Sequence, residues 1–265
     1  MTHTEPSSRV IELEGVHNFR DFGGYRVAGG GRLRRGILWR SGQHSKASEA
    51  DLAAIDALGL SSVFDLRTDR ERASHPCRRP AGFSATIHHA QDPGERHAPH
   101  IDSAKGLGGE GPESVRRRIV EVYGVIAFRP ELQAMVGKHL VELSEDRGPS
   151  LVNCMAGKDR TGIAVAIVQL AAGVHRDDIF EDFMLTNTAG NSEARVAAGM
   201  ETIRAISPDA DEAAMRVLMG VEPQYLEAAF AAIEERHGST DAFLEAGLGF
   251  GAARRERLRE ALVES

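Results

Sequence analysis

The chain reads as an α/β protein, with a central, mostly parallel sheet flanked by helices, a helical lid insertion and a helical C-terminal part. Three observations predict this. Short apolar runs alternate with helical patterns over roughly the first 170 residues, the pattern of a parallel sheet built from crossovers. From Asp177 onward one helical periodicity follows another. Between them, the run Ser150-Leu151-Val152 passes through a polar loop straight into the apolar stretch Ile163-Ala164-Val165-Ala166-Ile167-Val168, a buried strand feeding a buried helix.

Each element has its own warrant. Residues 1–8 are polar and are expected to be disordered. Val10 to Leu13 is expected as an edge strand. The stretch Asn18-Phe19-Arg20-Asp21-Phe22-Gly23-Gly24-Tyr25 reads as a structured loop in which Arg20 and Asp21 form a buried pair. Residues 32–39 read as one strand, closed by Arg40-Ser41-Gly42. Ser48-Glu49-Ala50-Asp51 is an N-cap pattern, predicting a helix through Leu58 with Gly59 as its stop. Strands are expected at 62–66 and 85–88, with Thr68 capping a turn and Asp65 and Arg67 forming a second buried pair. Gln91 to Gly111 is rich in Pro and Gly with few apolar anchors. Together with the helix that Pro112 opens, it makes 91–128 the expected lid. Helices follow over 131–144 and 161–172, the latter stopped by Gly173. More are expected over 177–186, 191–206, 208–219 and 223–237, then two short ones through Ser265. One domain, 1–265, accommodates all of this.

Composition narrows the function classes. The 265 residues are 42% hydrophobic and 27% charged, ordinary for a soluble protein with a full core. A net charge of −7 argues against nucleic acid as the partner. No apolar run approaches the roughly 20 residues of a membrane span. The N-terminus lacks a signal pattern, so a cytoplasmic location is expected. Cys77 and Cys154 are the two cysteines, too few for a disulfide scaffold or a Cys-rich metal site. Cys77, in a polar turn, reads as a bystander. His88, His89, His97 and His100 match no metal-site spacing, and neither metal nor cofactor is expected.

The chemistry lies in Val152-Asn153-Cys154-Met155-Ala156-Gly157-Lys158-Asp159-Arg160-Thr161-Gly162. A strand that delivers Cys154 into a tight loop opening a helix puts a thiolate on an anion hole, because loop and helix-start N–H groups favour negative charge. Arg160 adds a cation and a planar fork for two phosphate oxygens. Met155, Ala156, Gly157 and Lys158 complete the cradle, Gly157 where a Cβ would intrude. Thr161 is expected to reach the cysteine sulfur with its hydroxyl. Attack of sulfur on phosphorus would form a phosphocysteine that water then cleaves. The leaving oxygen needs a proton, for which Asp159 is the first candidate and Asp92 the second. A Walker-type loop is excluded, since Val152 and Asp159 stand where it needs Gly and Ser/Thr. A different class of reading is a catalytically weak phosphate-binding module that recognises phosphorylated partners.

These residues resemble the loop of the bacterial atypical protein-tyrosine phosphatases of dual or triple specificity, Cys-x-x-Gly-Lys-Asp-Arg-Thr-Gly. The resemblance extends to Asn18-Phe19-Arg20-Asp21, Arg40-Ser41, Asp65-Leu66-Arg67, Asp92, Gly220-Val221 with Tyr225-Leu226, and His237-Gly238-Ser239. It implies a hydrolase of phosphoprotein or phosphoinositide monoesters, with inorganic phosphate fitting the loop. It also implies a mobile helical lid, no metal, and contact of Lys158 with a second phosphate. One departure stands out. The family usually has His before the nucleophile and this chain has Asn153, which carries no positive charge and predicts a less acidic Cys154 and weaker activity, not a dead enzyme.

Overall fold

The computed structural model describes residues 9–89, 111–189, 192–204 and 211–265. In chain order the strands are β1 (Arg20–Asp21), β2 (Arg32–Leu33), β3 (Leu38–Ser41), β4 (Ser62–Asp65), β5 (Thr86–His88), β6 (Ser150–Asn153) and β7 (Val263–Glu264). The main sheet runs β1-β3-β6-β4-β5. β1 is antiparallel to β3, and the other three junctions are parallel. The helices are α1 (Glu49–Asp56), α2 (Asp69–Ser74), α3 (Pro112–Ile126), α4 (Pro130–Ser144), α5 (Asp159–Ala172), α6 (Arg176–Met184), α7 (Ser192–Arg204), α8 (Glu212–Met219), α9 (Pro223–His237) and α10 (Ala252–Leu262).

Strand alternation divides the core. Leu38, Phe64 and Val152 face the large core shared with α3 to α10. Trp39, Val63 and Leu151 face a smaller one with Leu52 and Ile55 of α1. Successive strand residues point to opposite faces, and the register Trp39↔Leu151↔Val63 keeps each set together. Both faces of the sheet are thus covered, so β6 is buried along its length, as a central parallel strand is. α5 is apolar on every side because it too is enclosed. It ends at Gly173, whose φ of 90° no β-carbon would favour.

The local signals behave as their chemistry dictates. Ser48 and Asp51 form a reciprocal capping box at α1, and Thr68 and Glu71 form another at α2. Several expectations need correction. Val10 to Leu13 is not a strand, Val10 making an isolated antiparallel bridge to Arg20, and Arg20–Asp21 forms β1 within the stretch read as a loop. Residues 32–39 are two strands, because the chain turns at Gly36 (φ 81°), whose N–H is held by Asp21. The C-terminus is not helical to its end, since β7 pairs antiparallel with β2. Arg20 and Asp21 do not pair. As neighbours on a strand they point apart, Arg20 toward Asp182 and Asp21 toward the Gly23 and Gly36 amides. Of the expected lid, residues 91–110 lie outside the described residues. The helix after them, α3, buries Val115, Ile119, Tyr123 and Ile126.

Candidate active site

Strand order decides where the site forms. β3 and β4 flank β6, and their last residues, Ser41 and Asp65, stand in register with Asn153. The cleft beyond the carboxyl ends of parallel strands is where ligands bind in such sheets. Cys154 lies there, buried, with the N-terminus of α5 five residues on. Lys158 occupies the cap position and makes no side-chain cap bond. No side-chain cap thus takes the first-turn amides, and a helix start of this kind favours an anion.

The loop is held from several sides. Gly157 has φ 65°, and a β-carbon there would sit 2.5 Å from the Ser41 carbonyl carbon and the Gly42 nitrogen. Its own carbonyl accepts from Asn18 Nδ2 at 2.6 Å and from the Arg40 guanidinium at 3.0 Å. Behind these donors lies Asp182 of α6. It accepts from Arg40 at 2.7 Å and Arg20 at 3.1 Å, and all three are buried. Burial works against the charges on both sides of this cluster. It brings Arg40 down to about 10, with Arg20 adding repulsion and Asp182 opposing. It also pushes the Asp182 carboxyl up, but the two guanidiniums outweigh it and hold the acid below its ordinary range.

Arg160 is aimed by a second carboxylate. Glu71 takes its two terminal nitrogens at 2.7 and 2.8 Å, and the Leu66 carbonyl takes a third bond at 3.0 Å. This planar, bidentate pairing fixes the guanidinium plane. Burial disfavours the charge, yet Glu71 and the Cys154 sulfur more than restore it, so Arg160 is a permanent cation. Nε carries no bond among the described residues and remains available to an oxyanion.

Asp159 accepts from the Tyr123 hydroxyl at 2.9 Å. Lys158 is not a solvated rim charge. It is buried, and Nζ donates to the Leu218 carbonyl in the last turn of α8 at 2.6 Å, lying 3.5 Å from Asp159. Met155 and Ala156 are half-buried on the loop, and the Met155 carbonyl is tied to the Gln43 amide at 3.1 Å. Thr161 differs from expectation. It is fully buried and its Oγ has no partner among the described residues, so no bond to Cys154 forms here. Asp92 lies outside the described residues.

On the opposite face Asp65 and Arg67 pair at 2.7 Å, as expected. Asn153 sits over them, its Nδ2 a long 3.4 Å from Asp65 and its Oδ1 buried without a partner among the described residues. Cys77 accepts the His44 amide at 3.3 Å, and both cysteines are free thiols. Sequence reading missed Glu71, Asp182 and Tyr123. Only Glu71 left a local trace, as the third residue after a Thr cap.

A buried thiol at the mouth of a helix, cradled by backbone amides and faced by a fixed guanidinium, defines a cysteine-dependent phosphatase. The chain belongs to the tyrosine phosphatase family, whose model matches residues 11–264. It is 31% identical over 279 residues to the triple specificity protein phosphatase PtpB of Mycobacterium tuberculosis, covering 96% of this chain and 99% of that protein. It is 31% identical over 239 residues to a protein of Cupriavidus necator named as a tyrosine-protein phosphatase, covering 90% and 84% respectively. The protein is thus a phosphoric monoester hydrolase that takes phosphorylated substrates. No helix among the described residues is long and apolar enough to cross a membrane.

Proposed function

We propose that the protein hydrolyses phosphotyrosine and, as a phosphatase of broad specificity, phosphoserine, phosphothreonine and phosphoinositide monoesters, acting in the cytoplasm. The observation that carries this reading is the bidentate Glu71–Arg160 pair beside the buried Cys154 thiol. Cys154 Sγ attacks phosphorus in line, and the bond to the leaving oxygen breaks as that oxygen takes a proton from Asp159. Arg160 and the amides of residues 155–160 hold the equatorial oxygens, where charge is spread in the transition state. Water then attacks the phosphocysteine and gives its proton to the Asp159 carboxylate. The P–S bond breaks and inorganic phosphate leaves. Thr161, with its buried unpartnered hydroxyl, assists the departing thiolate by donating to sulfur in that second step. Asp92 positions substrate or water.

Lys158 selects multiply phosphorylated substrates by taking a second phosphate in place of the Leu218 carbonyl. Hydrolysis of an aryl phosphate, abolished in Cys154→Ser and unaffected by chelator, tests the mechanism. Binding without turnover in the wild type at every pH would refute it. A panel of phosphopeptides and phosphoinositides on wild type and Lys158→Ala tests the substrate class. Equal losses on singly and multiply phosphorylated substrates would remove Lys158 from that role.

A further inference from the structure

We propose that Tyr123 is a positioning residue for the proton donor, and that it determines how far the enzyme reaches from aryl to alkyl phosphates. The inference rests on Asp159 being the general acid. Tyr123 is wholly buried on α3, its ring edge-on to Phe183 at 6.0 Å and tilted against Tyr225 at 5.5 Å. A tyrosine so enclosed has one direction in which to spend its hydroxyl, and that direction is Asp159 Oδ1, 2.9 Å away. The Lys158 ammonium approaches the same oxygen at 3.5 Å and is itself tethered to the Leu218 carbonyl. Among the described residues nothing bonds Oδ2.

The asymmetry has a chemical consequence. An ammonium has only donors. The phenol also stays a donor, because burial, reinforced by the Asp159 charge, keeps it protonated well above the ordinary tyrosine range. The phenol oxygen can also accept, but among the described residues Oδ1 is the acceptor its own hydrogen has, so a proton on Oδ1 would displace both donors. When Asp159 is protonated, the hydrogen that keeps both contacts sits on Oδ2, the oxygen free to turn toward the leaving group. Tyr123 thus fixes both the rotation of the carboxyl group and which of its oxygens is the acid. In the first step the P–O bond breaks, the leaving oxygen takes the proton from Oδ2, and the carboxylate that forms is stabilised at Oδ1 by the phenol. A nitrophenolate departs without much help from a proton, whereas the alkoxide of a serine side chain depends on one.

Tyr123→Phe keeps the ring and its packing and removes only the hydroxyl. Rates are compared on 4-nitrophenyl, phenyl and alkyl phosphates within one preparation, so any loss of folded enzyme cancels from the ratios. The expected result is that kcat falls about 10-fold more on the alkyl than on the nitrophenyl substrate, the effect of losing a bond to a charged group, with KM changed little. Asp159→Asn should lose about 100-fold on the alkyl substrate, and adding Tyr123→Phe to it should cost nothing further, since the hydroxyl acts through the carboxyl. An equal fall on all three substrates, or a second full loss in the Asp159→Asn background, would make Tyr123 merely structural and overturn the proposal. Asp159→Asn retaining wild-type turnover on the alkyl substrate would instead refute Asp159 as the acid, a separate failure.

Discussion

Glu71 illustrates how much a single side chain outside the loop can govern. It caps its own helix through Thr68 and at the same time clamps Arg160 by both nitrogens. Glu71→Gln keeps the size and one acceptor but loses the charge and the fork. The guanidinium then keeps the Leu66 carbonyl and one Gln oxygen in place of the bidentate clamp, and one member of a buried pair is left uncompensated. Phosphate inhibition should weaken about 10- to 100-fold, from the roughly 1.5–3 kcal/mol of a charge-assisted bond. The fold should survive, since α2 keeps its Thr68 cap. Competitive inhibition by inorganic phosphate measures the effect, and an unchanged inhibition constant would show that Arg160 needs no brace.

Among elements, the decisive junction is that of β1, β3 and α6 around Asp182. One carboxylate from a helix far along the chain joins Arg20 and Arg40, and through Arg40 and Asn18 it reaches the Gly157 carbonyl. Asp182→Asn leaves two buried guanidiniums without a counter-charge and should cost about 3–5 kcal/mol, read as a lower denaturation midpoint. Its pH dependence follows from the depressed carboxyl. The stabilisation is present above the unfolded value near 4 and is lost as pH falls through the folded one. Asp182→Asn should therefore show a flatter decline of stability below about pH 4 than the wild type. Parallel declines would mean that the cluster contributes no linkage.

For the whole molecule, acid sensitivity begins earlier, with histidines enclosed in the neutral form. His139 lies against Phe64 with its rings 4.3 Å apart and Nε2 on Ser150. Burial takes it down to about 3, with His88 nearby adding to the effect. The unfolded chain takes up that proton from about pH 6.5 downward while the fold refuses it, so stability falls as pH falls from about 6.5 toward 3. The slope is up to about 1.4 kcal/mol per pH unit per histidine. His44 is enclosed likewise, lowered by burial and then by Arg79 and Arg67. Denaturation midpoints at pH 7.5, 6 and 5 should drop progressively in the wild type and less in His139→Gln. A flat profile across that range would contradict the enclosed neutral state.

How much of this was legible beforehand follows the range of the interactions. The strand-loop-helix around Cys154, the caps at Ser48 and Thr68, the stop at Gly173 and the alternation that builds a parallel sheet depend on residues within a few positions of one another. The amino-acid sequence determined them alone, and with them the thiol, the arginine and the anion hole. The pairing of Arg20 with Asp182 joins residues far apart in the chain, as do Arg160 with Glu71, Tyr123 with Asp159 and Lys158 with Leu218. Each depends on which helix packs beside which strand end. Arg20 next to Asp21 even invited the wrong partner, because adjacency along a strand sends side chains to opposite faces. The sequence by itself thus determined the reacting groups. Only the tertiary structure decided what aims them, since buried charges are satisfied by whichever partners the packing of the core brings within hydrogen-bond reach.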